Sequence, residues 1–124
     1  MKLQESGEMY LETIYILSQQ EKNVRSIDVC EYMGFSKPSV SRAISLLKNG
    51  GYVSVAKDGC LTLTEIGLEK ANAIYERHRL ISKLLMMLGV DENIASEDAC
   101  KIEHVIGDQT FEALKKYYNK HCKL

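Results

Sequence analysis

Apolar residues near the start of the chain recur with the spacing of an α-helix. Residues 8–20 carry them three or four positions apart, so that they share one face of a predicted helix. A polar stretch follows. Ser26 is then expected to cap a short helix over residues 27–33, which Gly34 ends. The pattern therefore predicts two helices joined by a loop.

A third helix is predicted over residues 37–49, with one apolar and one polar face. Ser36 stands where an N-cap is favoured, and Pro38 falls in the first turn, where its missing N–H costs no hydrogen bond. The outward face carries hydroxyl residues and cations without a carboxylate. Two helices joined by a tight turn, the second with such a face, are typical of the helix-turn-helix, whose second helix reads the major groove of DNA.

A β-hairpin is predicted directly after this helix pair. Residues 52–55 and 61–63 alternate apolar and polar positions as strands do, and the Asp58-Gly59 pair between them is a strong turn signal. A hairpin in this place is the wing of a winged helix-turn-helix. Lys57, near its tip, is expected to meet a DNA phosphate.

The second half of the chain is predicted to be helical. A long helix is expected to begin after Thr64, its N-cap, and to end near Leu88, before Gly89. Residues 80–88 are almost entirely apolar, more than one small domain can easily bury, so part of this surface is expected at a subunit interface. The two remaining predicted helices are residues 92–106, capped by Asp91, and a last helix reaching about Lys120, capped by Asp108.

Composition adds limits to this mainly α-helical pattern. With 124 residues, 45% hydrophobic and 27% charged, the chain fits a soluble globular protein of one domain or two small modules. Its net charge of −1 argues against a histone-like polyanion binder, yet residues 36–57 hold four cations and no acid. No apolar run reaches the length of a membrane span and no signal-peptide pattern is present, so we expect a cytoplasmic protein without a membrane partner.

The candidate chemistry lies in Cys100, Glu103 and His104. In a helix, positions i, i+3 and i+4 share one face, so a thiol, a carboxylate and an imidazole would lie together. Such a set suits a divalent transition metal. Three ligands on one face do not complete a site, and the alternative is that Cys100 is a small buried hydrophobe beside two residues at a helix edge. The four cysteines have neither a zinc-finger spacing nor a disulfide framework.

A cysteine hydrolase built on Cys100 and His104 is disfavoured. Side chains one turn apart on a single helix do not present a thiolate to a cleft with an oxyanion hole, and the chain lacks a glycine-rich nucleophile turn. We therefore expect no enzyme and no small organic substrate.

Together these segments resemble the diphtheria toxin repressor and manganese transport regulator family of metal-dependent bacterial repressors. The residues that carry the resemblance are Glu8 to Tyr15, Ser36 to Ser41, Leu63-Thr64 with Gly67, Arg77-His78-Arg79-Leu80, and Ala99-Cys100 with Glu103-His104. The resemblance implies a homodimer of two-domain chains, with a winged helix-turn-helix over residues 1–63 and a helical metal-binding and dimerisation domain over residues 64–124. Metal bound between the domains would make the dimer competent for double-stranded operator DNA.

The resemblance also implies a ligand set. Met9, Cys100, Glu103 and His104 match the main regulatory site of the iron-responsive members, and Glu12 and His78 match positions of the two-metal cluster in the manganese-responsive branch. That branch has carboxylates where this chain has Met9 and Cys100, so the softer pair points to Fe(II), with Mn(II) as the alternative and Co, Ni or Zn as possible substitutes in vitro.

The expected DNA contacts follow from the predicted recognition helix and wing. Phosphate contacts are expected from Lys37, Arg42, Lys48 and Lys57, and base readout from Ser36, Pro38, Ser39 and Arg42, with Ser41 on the same face. One alternative stays open at this point: a metal-independent winged-helix regulator whose C-terminal helices only dimerise.

Overall fold

The structure is a computed structural model that describes residues 5–20 and 23–122. Within these residues it has six helices and one two-stranded antiparallel sheet. The elements are α1 (Glu5–Gln20), α2 (Ser26–Met33), α3 (Lys37–Asn49), β1 (Val53–Val55), β2 (Leu61–Leu63), α4 (Glu65–Met87), α5 (Glu92–Ile102) and α6 (Asp108–Cys122). The chain divides into two compact units, Met1–Asn72 and Ala73–Leu124. The predicted class, mainly helical with a small hairpin, is confirmed.

Helix α2 begins one residue earlier than predicted and uses a different cap. Arg25, not Ser26, occupies the N-cap position: its backbone is extended, with φ −123° and ψ 166°, and its N–H donates to Asp28 Oδ2 at 2.8 Å. Asp28 thus reaches back over the first turn, as the third residue of a capping box does. Gly34 ends the helix with φ +72°, and its N–H donates to the Cys30 carbonyl at 2.8 Å.

Helix α3 follows after a short turn and has the predicted cap. Ser36 Oγ accepts the N–H of Ser39 at 3.4 Å, and Pro38 lies in the first turn. The inward stripe packs against α1, α2 and β1. The core of this unit is built from fully buried apolar side chains, among them Leu11, Ile14, Val24, Val29, Val40 and Leu47. Burial in this core raises the pKa of the Tyr10 hydroxyl.

The hairpin of β1 and β2 pairs Val53 with Leu63 and Val55 with Leu61. Val24, from the loop before α2, extends this ladder because its carbonyl accepts the Leu61 N–H at 2.7 Å. Tyr52, predicted in the first strand, lies outside it. Its N–H donates to the Leu47 carbonyl at 2.9 Å and so closes the end of α3.

Helix α4 starts close against the chain that precedes β1. Thr64 Oγ1 accepts the Gly67 N–H at 3.0 Å, as a capping residue does, and donates to the Gly51 carbonyl at 2.6 Å. A Cβ atom at Gly67 would overlap the Tyr52 carbonyl oxygen, so only glycine fits there. The helix ends at Met87, one residue before the predicted end, in a turn where Gly89 has φ +100°.

The second unit consists of the remainder of α4 with α5 and α6. Its buried apolar residues are Ile74, Leu80, Ile81, Ala95, Ala99 and Phe111. Asp91 caps α5 as predicted, accepting the Asn93 N–H at 3.2 Å. Asp108 is the first residue of α6 rather than its cap, and the helix continues to Cys122. No helix among the described residues is long and apolar enough to span a membrane.

Candidate metal centre and nucleic-acid surface

The end of α5 brings three predicted ligands together, although the helix is shorter than predicted. It ends at Ile102, not at residue 106. Glu103 nevertheless keeps helical torsions, with φ −58° and ψ −27°, and its N–H donates to the Ala99 carbonyl at 2.9 Å. The one-turn spacing is therefore preserved. Single ligand atoms of Cys100, Glu103 and His104 all lie within 4.8 Å of one another.

Glu103 is the most buried member of this group, at 1% exposure. Its Oε1 lies 3.4 Å from His104 Nε2, and its Oε2 lies 3.4 Å from His78 Nδ1. Neither oxygen accepts a hydrogen bond from a residue that the structure describes. A buried carboxylate without hydrogen bonds is costly unless positive charge compensates it. A protonated imidazole or a metal cation would provide that charge.

His78, on α4, joins this group from a separate helix. Its Nδ1 faces Glu103, and its other ring nitrogen, Nε2, lies 3.4 Å from Ser96 Oγ on α5. Metal-ligating histidines commonly use their second nitrogen in a hydrogen bond of this kind, which fixes the ring. We define Cys100, Glu103, His104 and His78 as the metal cluster. A thiol, a carboxylate and two imidazoles are a donor set that fits Fe(II), Mn(II) and related ions.

The other two predicted ligands lie on α1, in the first unit. Met9 and Glu12 are one turn apart, and Glu12 is buried together with its neighbour Thr13. A charged residue in a largely apolar helix face is unusual unless it has a specific role.

The predicted DNA contacts are all exposed side chains of the first unit. All predicted DNA-contacting side chains on α3 and the residue before it are exposed, namely Ser36, Lys37, Pro38, Ser39, Ser41, Arg42 and Lys48. The first turn of α3 contains no acidic residue. Lys57 is exposed at the tip of the hairpin. This surface is positive, and it presents hydroxyl donors at the helix N-terminus, where helix-turn-helix proteins contact bases.

Two arginines make structural contacts at these sites that the sequence analysis did not predict, although Arg77 is among the residues that carry the family resemblance. Arg25 Nη2 lies 3.7 Å from Asp58 Oδ2, and Arg25 Nη1 donates to the Asp58 carbonyl, which ties the loop before α2 to the hairpin tip. Arg77 donates to the carbonyls of Glu103 and Ile106. The partners are 26 to 33 residues away, and a contact of that separation leaves no periodic signal in the sequence.

Two family models match the chain along almost its whole length. Residues 2–61 match the iron-dependent repressor N-terminal DNA-binding domain, and residues 64–122 match the iron-dependent repressor metal-binding and dimerisation domain.

Among curated proteins, a helix-turn-helix-type transcriptional regulator of Methanocaldococcus jannaschii is 33% identical over 95% of this chain and 96% of its own length. The diphtheria toxin repressor of Corynebacterium diphtheriae is 35% identical over 92% of this chain but only 51% of its own length, so the chain spans about half of that protein. Among solved structures, the manganese regulator SloR superposes with a TM-score of 0.81 at 32% identity, covering 96% of this chain and 55% of SloR.

Proposed function

This chain belongs to the iron-dependent repressor family of metal-dependent transcriptional repressors. From that premise we propose that binding of a divalent metal ion raises the affinity of this chain for operator DNA. The observation that carries the proposal is Glu103, a buried carboxylate beside a thiol and two imidazoles that accepts no hydrogen bond from the described residues. The relatives compared above are transcriptional regulators, and we propose no catalytic reaction for this chain.

We propose that residues 1–63 form the DNA-binding domain and residues 64–124 the metal-binding and dimerisation domain. The two family models, which end at residue 61 and begin at residue 64, support this division. A homodimer is supported by the apolar residues at the end of α4, where Met86 and Met87 are exposed and Leu88 is 80% exposed. Exposed apolar residues in a contiguous run favour an interface between subunits.

We propose that the metal is held by the metal cluster together with Met9 and Glu12 of α1. Bound there, it would supply the positive charge that the Glu103 carboxylate lacks and would displace the proton of the Cys100 thiol. The thiol and the Met9 thioether are soft donors, which favour Fe(II) over Mn(II) because Mn(II) prefers oxygen ligands. Chelation should then weaken DNA binding about 5- to 150-fold, the range of typical allosteric coupling.

The proposal is tested by DNA binding with and without metal. A duplex is selected from a randomised pool with Mn(II) or, anaerobically, Fe(II), and its affinity is then measured by fluorescence anisotropy with metal and with chelator. Cys100→Ala and His104→Ala should remove the metal response while circular dichroism shows an unchanged helix content. His121→Ala serves as the matched control because His121 is exposed near the end of α6. Equal DNA affinity with metal and with chelator would instead indicate a metal-independent regulator.

The identity of the metal is tested separately. Fe(II) and Mn(II) are titrated under anaerobic conditions, and bound metal is counted directly by elemental analysis. We expect tighter binding of Fe(II) because of the soft donors. Tighter binding of Mn(II) would contradict this part of the proposal without affecting the rest.

A further inference from the structure

Arg77 extends from α4 to the segment between α5 and α6. Its Nη1 donates to the Ile106 carbonyl at 2.9 Å and, more weakly, to the Glu103 carbonyl at 3.4 Å. Its Nη2 forms an ion pair with Asp108, and its guanidinium carbon lies 5.0 Å from the centre of the Phe111 ring. The Arg77 side chain is only 18% exposed. One largely buried side chain therefore contacts two residues of this segment, Glu103 and Ile106, and two residues of α6, Asp108 and Phe111.

These contacts supply donors to backbone carbonyls that follow the end of α5. The last carbonyls of a helix lack intrahelical donors and need them from elsewhere. Here the Ile102 carbonyl accepts the N–H groups of Val105 and Ile106, at 3.0 and 3.1 Å, whereas Arg77 supplies donors to the carbonyls of Glu103 and Ile106. The planar guanidinium is suited to this role because its donors have a fixed arrangement.

The same segment carries two residues of the metal cluster, Glu103 and His104. A side chain can be oriented toward a metal ion only if its backbone is held in place. The groups that hold a metal-ligating side chain commonly determine how tightly the metal binds. We propose that Arg77 is a positioning residue for metal binding, which holds residues 103–106 so that Glu103 and His104 face Cys100 before the metal arrives. This inference rests on the proposed function.

The buried contacts of Arg77, rather than its ion pair, carry this role. Asp108 is 96% exposed, and an ion pair with so exposed a partner contributes little. The two carbonyls and the Phe111 ring remain, and Phe111 itself is buried in the core of the unit. The guanidinium thereby links the segment to a fixed part of α6.

The neighbouring residue of α4 offers a matched control. Glu76 accepts from Lys115 Nζ at 3.4 Å and thus also links α4 to α6, through a partner that lies outside residues 103–106. Removal of this exposed ion pair tests whether loss of any contact between α4 and α6 weakens metal binding.

The experiment compares Arg77→Met, Arg77→Lys and Lys115→Met with the wild-type chain. The dissociation constants for Mn(II) and, anaerobically, Fe(II) are measured by competition with a chelating indicator, and amide hydrogen exchange is measured on metal-free protein. Arg77→Met should weaken metal binding about 10- to 100-fold, the usual effect of losing a group that orients a ligand. It should also speed exchange at the amides of Val105 and Ile106. Arg77→Lys should be intermediate, since an ammonium can reach only part of the contacts, and Lys115→Met should match the wild type.

Two results would overturn the inference. The first is a metal affinity of Arg77→Met equal to that of the wild type. If thermal melting shows that Arg77→Met does not fold, an affinity of Arg77→Lys equal to that of the wild type has the same meaning. The second is an equal loss of affinity in Lys115→Met, which would indicate a general effect of linking α4 to α6. If the wild-type chain binds neither metal, the proposed function is overturned as well. If the wild type and Arg77→Met bind metal with equal affinity, only the role of Arg77 is overturned.

Discussion

At the scale of single residues, Glu103 determines the chemistry of the candidate site. Its carboxylate is buried beside His78 and His104, and a buried carboxylate lowers the stability of a protein unless positive charge compensates it. The Cys100-Glu103-His104 group was predictable because one helical turn fixes the spacing of its members. The approach of His78 from another helix followed only from the family resemblance, since residues 25 positions apart share no local period.

Replacement of Glu103 should separate stability from metal binding. We expect Glu103→Gln to leave the melting temperature of the metal-free protein unchanged or higher, because a neutral amide is less costly to bury than a carboxylate. The rise in melting temperature on adding Mn(II) or Fe(II) should be lost. Differential scanning fluorimetry with and without metal measures both quantities.

Glu97→Gln provides the control for this substitution, because Glu97 is exposed on α5, the helix that ends just before Glu103. It should behave as the wild type does. A metal-free Glu103→Gln protein that melts well below the wild type would mean that the carboxylate is fully compensated by its neighbours, contrary to our interpretation.

At the scale of elements, local signals placed most helices and the hairpin correctly. Ser36 and Asp91 cap their helices as predicted, because a side chain that satisfies an N–H two or three residues later acts within its own turn. The end of α5 was misjudged: the helix ends at Ile102, and the Ile106 carbonyl accepts instead from Arg77, which is remote along the chain. The cap of α2 was misassigned by one residue because Asp28, not Ser26, provides the acceptor.

Gly67 allows α4 to begin against the chain before β1. We expect Gly67→Ala to lower the free energy of unfolding by about 1–3 kcal/mol, as overpacking typically does, because the new Cβ would overlap the Tyr52 carbonyl and the backbone would have to move. Urea denaturation measures the effect. Gly107→Ala is the control, since a Cβ there has no neighbour within 4 Å, and it should leave stability unchanged or slightly higher. Equal stability of both variants would show that the close approach is relieved without cost.

Arg25 should affect DNA binding through the hairpin tip that carries Lys57. If Arg25 holds Asp58, then Arg25→Met and Lys57→Met should each weaken binding, and the double variant should lose less than the sum of the two. Lys57→Met should also lower the slope of log affinity against log salt by about one, the value for one phosphate contact. Anisotropy titrations at several salt concentrations give both quantities.

The comparison pair for this cycle is Arg25→Met with Lys37→Met, because Lys37 lies at the start of α3 rather than on the hairpin. Their effects should add. Simple additivity of Arg25→Met and Lys57→Met would instead indicate that Arg25 acts independently of the hairpin tip.

At the scale of the whole molecule, the exposed apolar residues that end α4 are the clearest feature. The long apolar run over residues 80–88 was read from the sequence as partly a subunit interface, and its last residue, Leu88, is 80% exposed. Which residues of the run pack inward could not be read from the sequence, because nearly all are apolar. The structure buries Leu80 and Ile81.

Leu88→Glu should weaken the proposed homodimer. Burying a leucine contributes about 1.5–3 kcal/mol, so its loss should weaken association about 10- to 100-fold, and the buried charge should add to this. Size-exclusion chromatography with light scattering, over a range of protein concentrations, measures the shift toward monomer.

Leu46→Glu makes the same chemical change at an exposed leucine of α3 and should leave the oligomeric state unchanged. A Leu88→Glu protein that associates as strongly as the wild type would place the interface elsewhere.

Metal binding beside the buried Glu103 would also affect the lifetime of the protein in a cell. A ligand that binds only the native state stabilises it by about 2.7 kcal/mol at one hundred times its dissociation constant. Proteases that act on transiently unfolded chains would then remove the metal-starved form faster than the metal-loaded one. The supply of the metal ion in the cell would thereby set the abundance of this protein. When the metal is scarce, degradation of the metal-free protein would add to the relief of repression.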